Sequence, residues 1–200
     1  IAGDAFGGIW WIEVPRADVD EWQLWHYDPI DARLVRRLVE TGATIADRQP
    51  ALSPILVAAR PSFAPGDPGG VNGVELIVDT YDRSSQHQYT GVYRLSVAIN
   101  DSGDGSIVGV PLPLLAEGQY HGPVSISPAQ DRLVFPVRDD QKPGLSAGIV
   151  APPNLLKLLT LEGRGSSIVR TIFVAPTDFE FLGQRLDWIL VSKGIAFRSY

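Results

Sequence analysis

Apolar and polar residues alternate along this chain in short runs separated by glycine and proline. Gly8-Ile9-Trp10-Trp11-Ile12-Glu13-Val14 is rich in aromatic and β-branched residues and stops at Pro15, which predicts a strand. Glu21-Trp22-Gln23-Leu24-Trp25-His26-Tyr27 alternates with a period of two, the signature of a half-buried strand, and Asp28-Pro29-Ile30-Asp31 supplies turn chemistry after it. Arg33–Val39 also carries a helical reading, with Leu34, Arg37, Leu38 and Thr41 on one face. It follows a tight turn and stops at Gly42, however, which favours a third strand.

The pattern then repeats. Strands are predicted around Ala51–Leu52 and over Val74–Asp82, Gly91–Ile99 and Ser106–Leu112, with a Pro/Gly-rich surface loop over Arg60–Gly73. A second set falls at Pro123–Ser127, Asp131–Val137, Leu155–Leu161 and Ser167–Phe173, with a connecting loop over Asp139–Pro153. A last pair falls at Leu182–Trp188 and Lys193–Tyr200. Each unit opens on a small or hydroxyl residue and a Pro ahead of an apolar strand: Ala51-Leu52-Ser53-Pro54, then Val124-Ser125-Ile126-Ser127-Pro128, and a degraded form at Leu186-Asp187-Trp188-Ile189. Units run to roughly 60 residues, against ~40–45 for an ordinary propeller blade, and the excess sits in the two long loops. Radial repetition of small antiparallel sheets is how a β-propeller is made. The expectation is therefore an all-β fold, a β-propeller segment of four-stranded antiparallel blades. Two blades are complete (50–121 and 122–178) and partial blades stand at each end (1–49 and 179–200), the whole forming one domain or fragment. A ring needs ~4–8 blades and an open strand edge invites aggregation, so the reading expects a piece of a larger propeller.

Composition agrees with this class. Of 200 residues, 44% are hydrophobic and 20% charged, and Gly at 20 and Pro at 16 favour a turn-rich β chain over a helical one. The net charge of -6 leaves no basic stripe for nucleic acid. With Cys at 0, disulfides, thiolate metal sites and Cys nucleophiles are excluded. No apolar run approaches the ~18 residues that would span a bilayer as a helix, and Met is also 0, so residue 1 is expected to follow processing or an upstream segment.

The pattern resembles the TolB-like family of β-propellers. Ser127-Pro128-Ala129-Gln130-Asp131-Arg132-Leu133-Val134-Phe135 matches the middle of that family's repeat, in which a Ser-Pro-Asp-Gly turn precedes a strand, although Ala129 and Gln130 replace its Asp and Gly. Gly194-Ile195-Ala196-Phe197-Arg198-Ser199 is similar to its Ala-Phe strand. Leu24-Trp25-His26-Tyr27-Asp28 followed by Val35-Arg36-Arg37-Leu38-Val39 is similar to its second half. The resemblance implies a non-enzymatic, periplasmic or otherwise extracytoplasmic interaction domain.

Candidate chemistry is thin. Gly144-Leu145-Ser146-Ala147-Gly148 fits the G-x-S-x-G pattern of serine hydrolases, but His26, His87 and His121 all precede it, and Pro152-Pro153 cannot begin the helix a nucleophile elbow needs. An inter-strand loop is the better reading. Asn100-Asp101-Ser102-Gly103-Asp104-Gly105 opens like a calcium loop, yet position 12 is Pro111 rather than Glu, so a hairpin turn is expected. The three histidines show no metal-ligand spacing. Asp79 and Asp82 sit three apart on one strand, hence on opposite faces, and cannot act as a pair. Arg36-Arg37 reads as a solvated pair at a strand end. No catalytic, cofactor or metal residue is assigned.

Four aromatics remain. Trp10 and Trp11 must point to opposite faces of their strand, as must Trp22 and Trp25, so one of each pair fills the inter-blade core and the other meets solvent or a partner. Trp10, Trp11, Trp22 and Trp25 are the candidate interface residues. The expected function is a non-catalytic protein-binding or scaffold module with other protein subunits as partners, including as an accessory subunit of a membrane-associated complex. The alternative is the propeller domain of a prolyl-oligopeptidase-like peptidase, or of another hydrolase, whose catalytic domain lies outside this chain.

Overall fold

In the computed structural model the described residues are 1–3, 7–15, 21–41, 52–61, 73–82, 88–100, 102, 104–138, 155–161, 169–174, 186–191 and 194–199. They form fourteen strands and no helix. No helix is therefore long and apolar enough to cross a membrane among the described residues. Strands β1 (Ala2–Gly3), β2 (Ile9–Glu13), β3 (Glu21–Asp28) and β4 (Arg33–Thr41) make a first antiparallel sheet in chain order. A second sheet holds β5 (Leu52–Pro61), β6 (Gly73–Asp82), β7 (Gln88–Ile99) and β8 (Gly105–Ala116), and a third holds β9 (Ser125–Ile126), β10 (Arg132–Val137), β11 (Leu155–Thr160) and β12 (Val169–Val174). The hairpin of β13 (Leu186–Val191) and β14 (Gly194–Ser199) stands as a two-stranded sheet. Each sheet is an up-and-down meander of the kind that short hydrophobic runs and tight turns produce, and no sheet closes on itself.

The all-β class and the four-stranded unit are as expected, but the first unit is not incomplete. Its first strand, β1, at the edge of the sheet, is only two residues long and pairs Ala2 with Trp10 and Gly3 with Ile9. An Ala-Gly pair carries neither alternation nor β-branched side chains, so nothing in its composition marks it as a strand. The sheet count corrects to three four-stranded units. Three boundaries also move. β5 runs through Arg60 to Pro61, where a loop was expected, because Arg60 stands opposite Glu75 of β6 and bonds to it. β8 continues past Pro111 and Pro113, since an edge strand tolerates residues that lack an N–H. β13 extends beyond Trp188 through the apolar run Ile189-Leu190-Val191.

The chain divides into two compact units, Ile1–Ala116 and Glu117–Tyr200. In the first unit, one face of the first sheet packs on one face of the second. Trp10, Trp22, Leu24 and Leu38 meet Leu56, Ala59, Val74, Leu76, Val78, Leu95 and Val97 in a single apolar cluster. The period of two in β3 accounts for this directly: Trp22 and Leu24 are fully buried, while Gln23 and Trp25 between and beyond them are not. β6 differs, being buried on both faces from Leu76 to Thr80.

Where the two sheets approach at their outer strands, Gly105 is required. A Cβ on it would lie 2.8 Å from the Arg37 carbonyl oxygen and 3.0 Å from Val97 Cγ1. Gly105→Ala is expected to cost about 1–3 kcal/mol, the usual penalty of forcing atoms into a filled site. The urea midpoint of the first unit measures it, and an unchanged midpoint would contradict the close approach.

β8 is irregular. Arg94 of β7 pairs with Leu112 but Ser96 pairs with Val108, so Gly109, Val110 and Pro111 stand against Leu95 alone. Gly109 takes φ +77°, and Val110 is 90% exposed.

In the second unit, the Ser-Pro turn before β10 is built around Ser127. Its hydroxyl donates to Asp131 Oδ1 at 2.8 Å and accepts from the amides of Asp131 (3.2 Å) and Arg132 (3.1 Å). Gln130, which stands where the TolB-like turn has Gly, takes φ +56°. That left-handed conformation is the physical reason a glycine suits the position. β10 is buried from Leu133 to Val137. Its Pro136 lies beyond the two residues that pair with β9, where His121 N donates to Pro136 O at 2.8 Å.

Candidate functional site

The four tryptophans fall into two groups. Trp10 and Trp22 are in the core, at 3% and 0% exposed, which removes both from any surface. Trp11 and Trp25 lie on the opposite face of the same sheet, directly across from one another on β2 and β3. Their rings are nearly parallel, with centroids 6.3 Å apart and an interplanar angle of 8°. Both are half-buried, and the Trp25 indole N–H is buried without a hydrogen-bond acceptor among the described residues.

Cross-strand register extends this pair into a grid of nine residues on β2, β3 and β4. The central row is Trp11, Trp25 and Arg36. The row on one side is Ile9, Tyr27 and Leu34, and that on the other is Glu13, Gln23 and Val39. The rows stay aligned because β4 carries an extra residue, Arg37, between the partners of Leu24 and Trp25. Without that bulge, Leu38 and Arg36 could not face opposite sides while pairing with Leu24 and Trp25. Ile9, Leu34 and Val39 are 41%, 55% and 43% exposed. The result is an apolar, aromatic grid with Arg36 and Glu13 on it, and with Glu21 one position beyond Gln23 on the same face of β3, its Oε1 accepting from Gln23 Nε2 at 3.1 Å.

The bulge corrects the reading of Arg36-Arg37 as a solvated pair at a strand end. Both are in mid-strand; Arg36 is exposed, but Arg37 is half-buried, and its Nη2 donates to His26 Nδ1 at 3.2 Å. A guanidinium only donates, so His26 Nδ1 is the acceptor in this bond. The His26 ring in turn stacks on Trp10, with centroids 4.1 Å apart. Burial, and then the charge of Arg33, push the Arg37 pKa down, with Asp28 and Asp104 opposing.

The other residues singled out in the sequence serve structural roles or fall outside the described residues. Ser146 and its Gly144–Gly148 motif, and His87, lie outside them. His121 accepts from Arg138 N through Nδ1 at 3.1 Å, holding the end of β10. Asn100 closes the β7–β8 connection on itself, its Oδ1 accepting from Asp104 N at 2.9 Å and its N–H donating to Asp104 O at 3.0 Å. Asp79 is 2% exposed within β6, and Asp82 is half-buried at the strand's end. Among the described residues no group of three or more His, Asp or Glu side chains gathers as a metal site.

The central row was only half visible in the sequence. Alternation places Trp11 and Trp25 away from the core, but Arg36, Ile9, Leu34 and Val39 join them through cross-strand register, which no local pattern records. Comparison with protein-family models, with curated proteins and with solved structures finds no match for this chain.

Proposed function

We propose that this chain is a non-catalytic protein-binding or scaffold module, built as a segment of a TolB-like β-propeller and working with other protein subunits in an extracytoplasmic compartment. The observation that carries the reading is the Trp11–Trp25 face. Apolar clusters of this kind on a sheet face mark interaction sites, and aromatic residues with an adjacent Arg supply much of the binding energy where proteins meet. The propeller reading draws support from the way consecutive sheets sit within each unit. β1 lies beside β5 in the first, and β9 beside β13 in the second, so that first strand neighbours first strand as in sheets set around an axis.

The test is quantitative affinity capture from the native host with wild-type chain and with the double variant Leu34→Glu/Val39→Glu, whose substitutions fall on exposed positions. The expected result is a stoichiometric protein partner held by wild type and lost by the variant. Identical capture by both would refute the assignment to this face.

A further inference from the structure

We propose that Asp104–Gly105 is a site of spontaneous covalent modification, at which the aspartate converts to isoaspartate and the β7–β8 connection loses its fit against the first sheet. The site is separate from the binding face and does not depend on it. Asp-Gly occurs once in the 200 residues, so the chemistry has a single address.

The reaction needs a carboxyl group within reach of the next amide nitrogen, and an amide that is neither crowded by a side chain nor held in a ladder. Asp104 is exposed. Asn100 holds its N–H and its carbonyl, and both bonds use main-chain atoms of Asp104 rather than its carboxylate. Gly105 carries no Cβ to hinder attack on its neighbour. Its N–H is also turned away from β7. Residues opposite each other in an antiparallel ladder alternate between hydrogen-bonded and non-bonded pairs. Asn100 N donates to Asp104 O, which makes those two a bonded pair and the next, Ile99 with Gly105, a non-bonded one. β8 is the edge strand, so no further strand of that sheet takes the Gly105 N–H.

The only co-reactant is water. Gly105 N attacks Cγ of the protonated Asp104 carboxyl, the amide proton and the carboxyl OH leave as water, and a succinimide ring forms. Water then opens the ring. Addition at Cγ restores aspartate. Addition at the former main-chain carbonyl leaves that carbon as a free carboxylate and routes the chain through Cβ and Cγ, one atom longer. Mass and charge are unchanged, but the geometry is not. The oxygen that accepts from Asn100 N leaves the main chain. Gly105 is displaced from a slot in which even a Cβ would lie 2.8 Å from the Arg37 carbonyl oxygen and 3.0 Å from Val97 Cγ1. An added backbone atom strains a site so closely filled.

The test holds the full chain at neutral pH and physiological temperature for weeks, then locates isoaspartate by digestion and electron-transfer fragmentation. Conversion at Asp104 should run within about ten-fold of its rate in a synthetic peptide of residues 98–107, because no local opening of a ladder bond has to precede it. Asp104→Glu, at an exposed position, keeps the charge but would need a larger ring. It should stay unmodified there, and after ageing should keep a higher urea midpoint than aged wild type. Deamidation at Asn72–Gly73 changes the mass and is told apart by it. Aged wild type that retains aspartate at this position while the peptide has converted overturns the proposal. So does isoaspartate that forms and leaves the midpoint equal to that of aged Asp104→Glu.

Discussion

Trp22→Ala should lower the stability of the first unit by about 3–5 kcal/mol, while Trp11→Ala on the other face of the same sheet should cost about 1 kcal/mol. Trp22 is fully enclosed by the apolar cluster between the two sheets, so its loss removes both transfer energy and packing in a site that cannot collapse around the gap. Trp11 loses chiefly its ring partner Trp25 and part of its own covered surface. Denaturant unfolding of the two variants, followed by a probe in the first unit, measures the contrast. Equal losses would mean that the outer face is as enclosed as the inner one, and would remove the basis for a docking surface there.

The second large effect falls on charge. Glu75 of β6 is held between Arg60 of β5, which bonds it through Nε at 2.6 Å, and Arg94 of β7, whose Nε lies 3.4 Å away. Arg94 is 8% exposed. Burial pushes its pKa down first of all, Glu75 pushes it back up, and Arg60 pushes it down again, so the carboxylate is what makes the two guanidiniums compatible. Glu75→Gln keeps the shape and removes the charge. It is expected to cost about 2–3 kcal/mol, below the 3–5 kcal/mol for breaking a fully buried pair because Glu75 retains some exposure. Adding Arg94→Met to that variant should recover part of the loss, since the unmatched cation goes with it. A loss under about 0.5 kcal/mol in the single variant would show the cluster to be as weak as an exposed pair.

What the sequence disclosed, and what it withheld, follow from the range of the interactions concerned. The alternation in Glu21–Tyr27 is local, and it correctly separates the face bearing Trp22 and Leu24 from the one bearing Trp25. The Ser-Pro phrase marks a turn at Ser127, which bonds within five residues of itself, but the expectation fails for the other copies: Ser53 and Pro54 are paired with Tyr81 and Thr80 inside β5, and Leu186–Ile189 lies inside β13. By contrast, β1 exists because Ala2 and Gly3 meet Trp10 and Ile9, and a two-residue strand has no pattern of its own. The grid around Trp25 depends on one extra residue at Arg37, and nothing in Val35-Arg36-Arg37-Leu38 announces a bulge. Arg37 itself was read from its charge as solvated. The acceptor that draws it inward, His26, is eleven residues away on the adjacent strand.

The broken pairing along β8 has a consequence for growth. Its pairing with β7 is interrupted in mid-strand at Gly109–Pro111, and Pro111 and Pro113 offer no amide to an incoming backbone. A stray chain that tried to lengthen this sheet by one strand would fall out of step within a few residues. The second sheet therefore terminates itself, and templated fibril growth from that margin is shut off whatever its faces recruit.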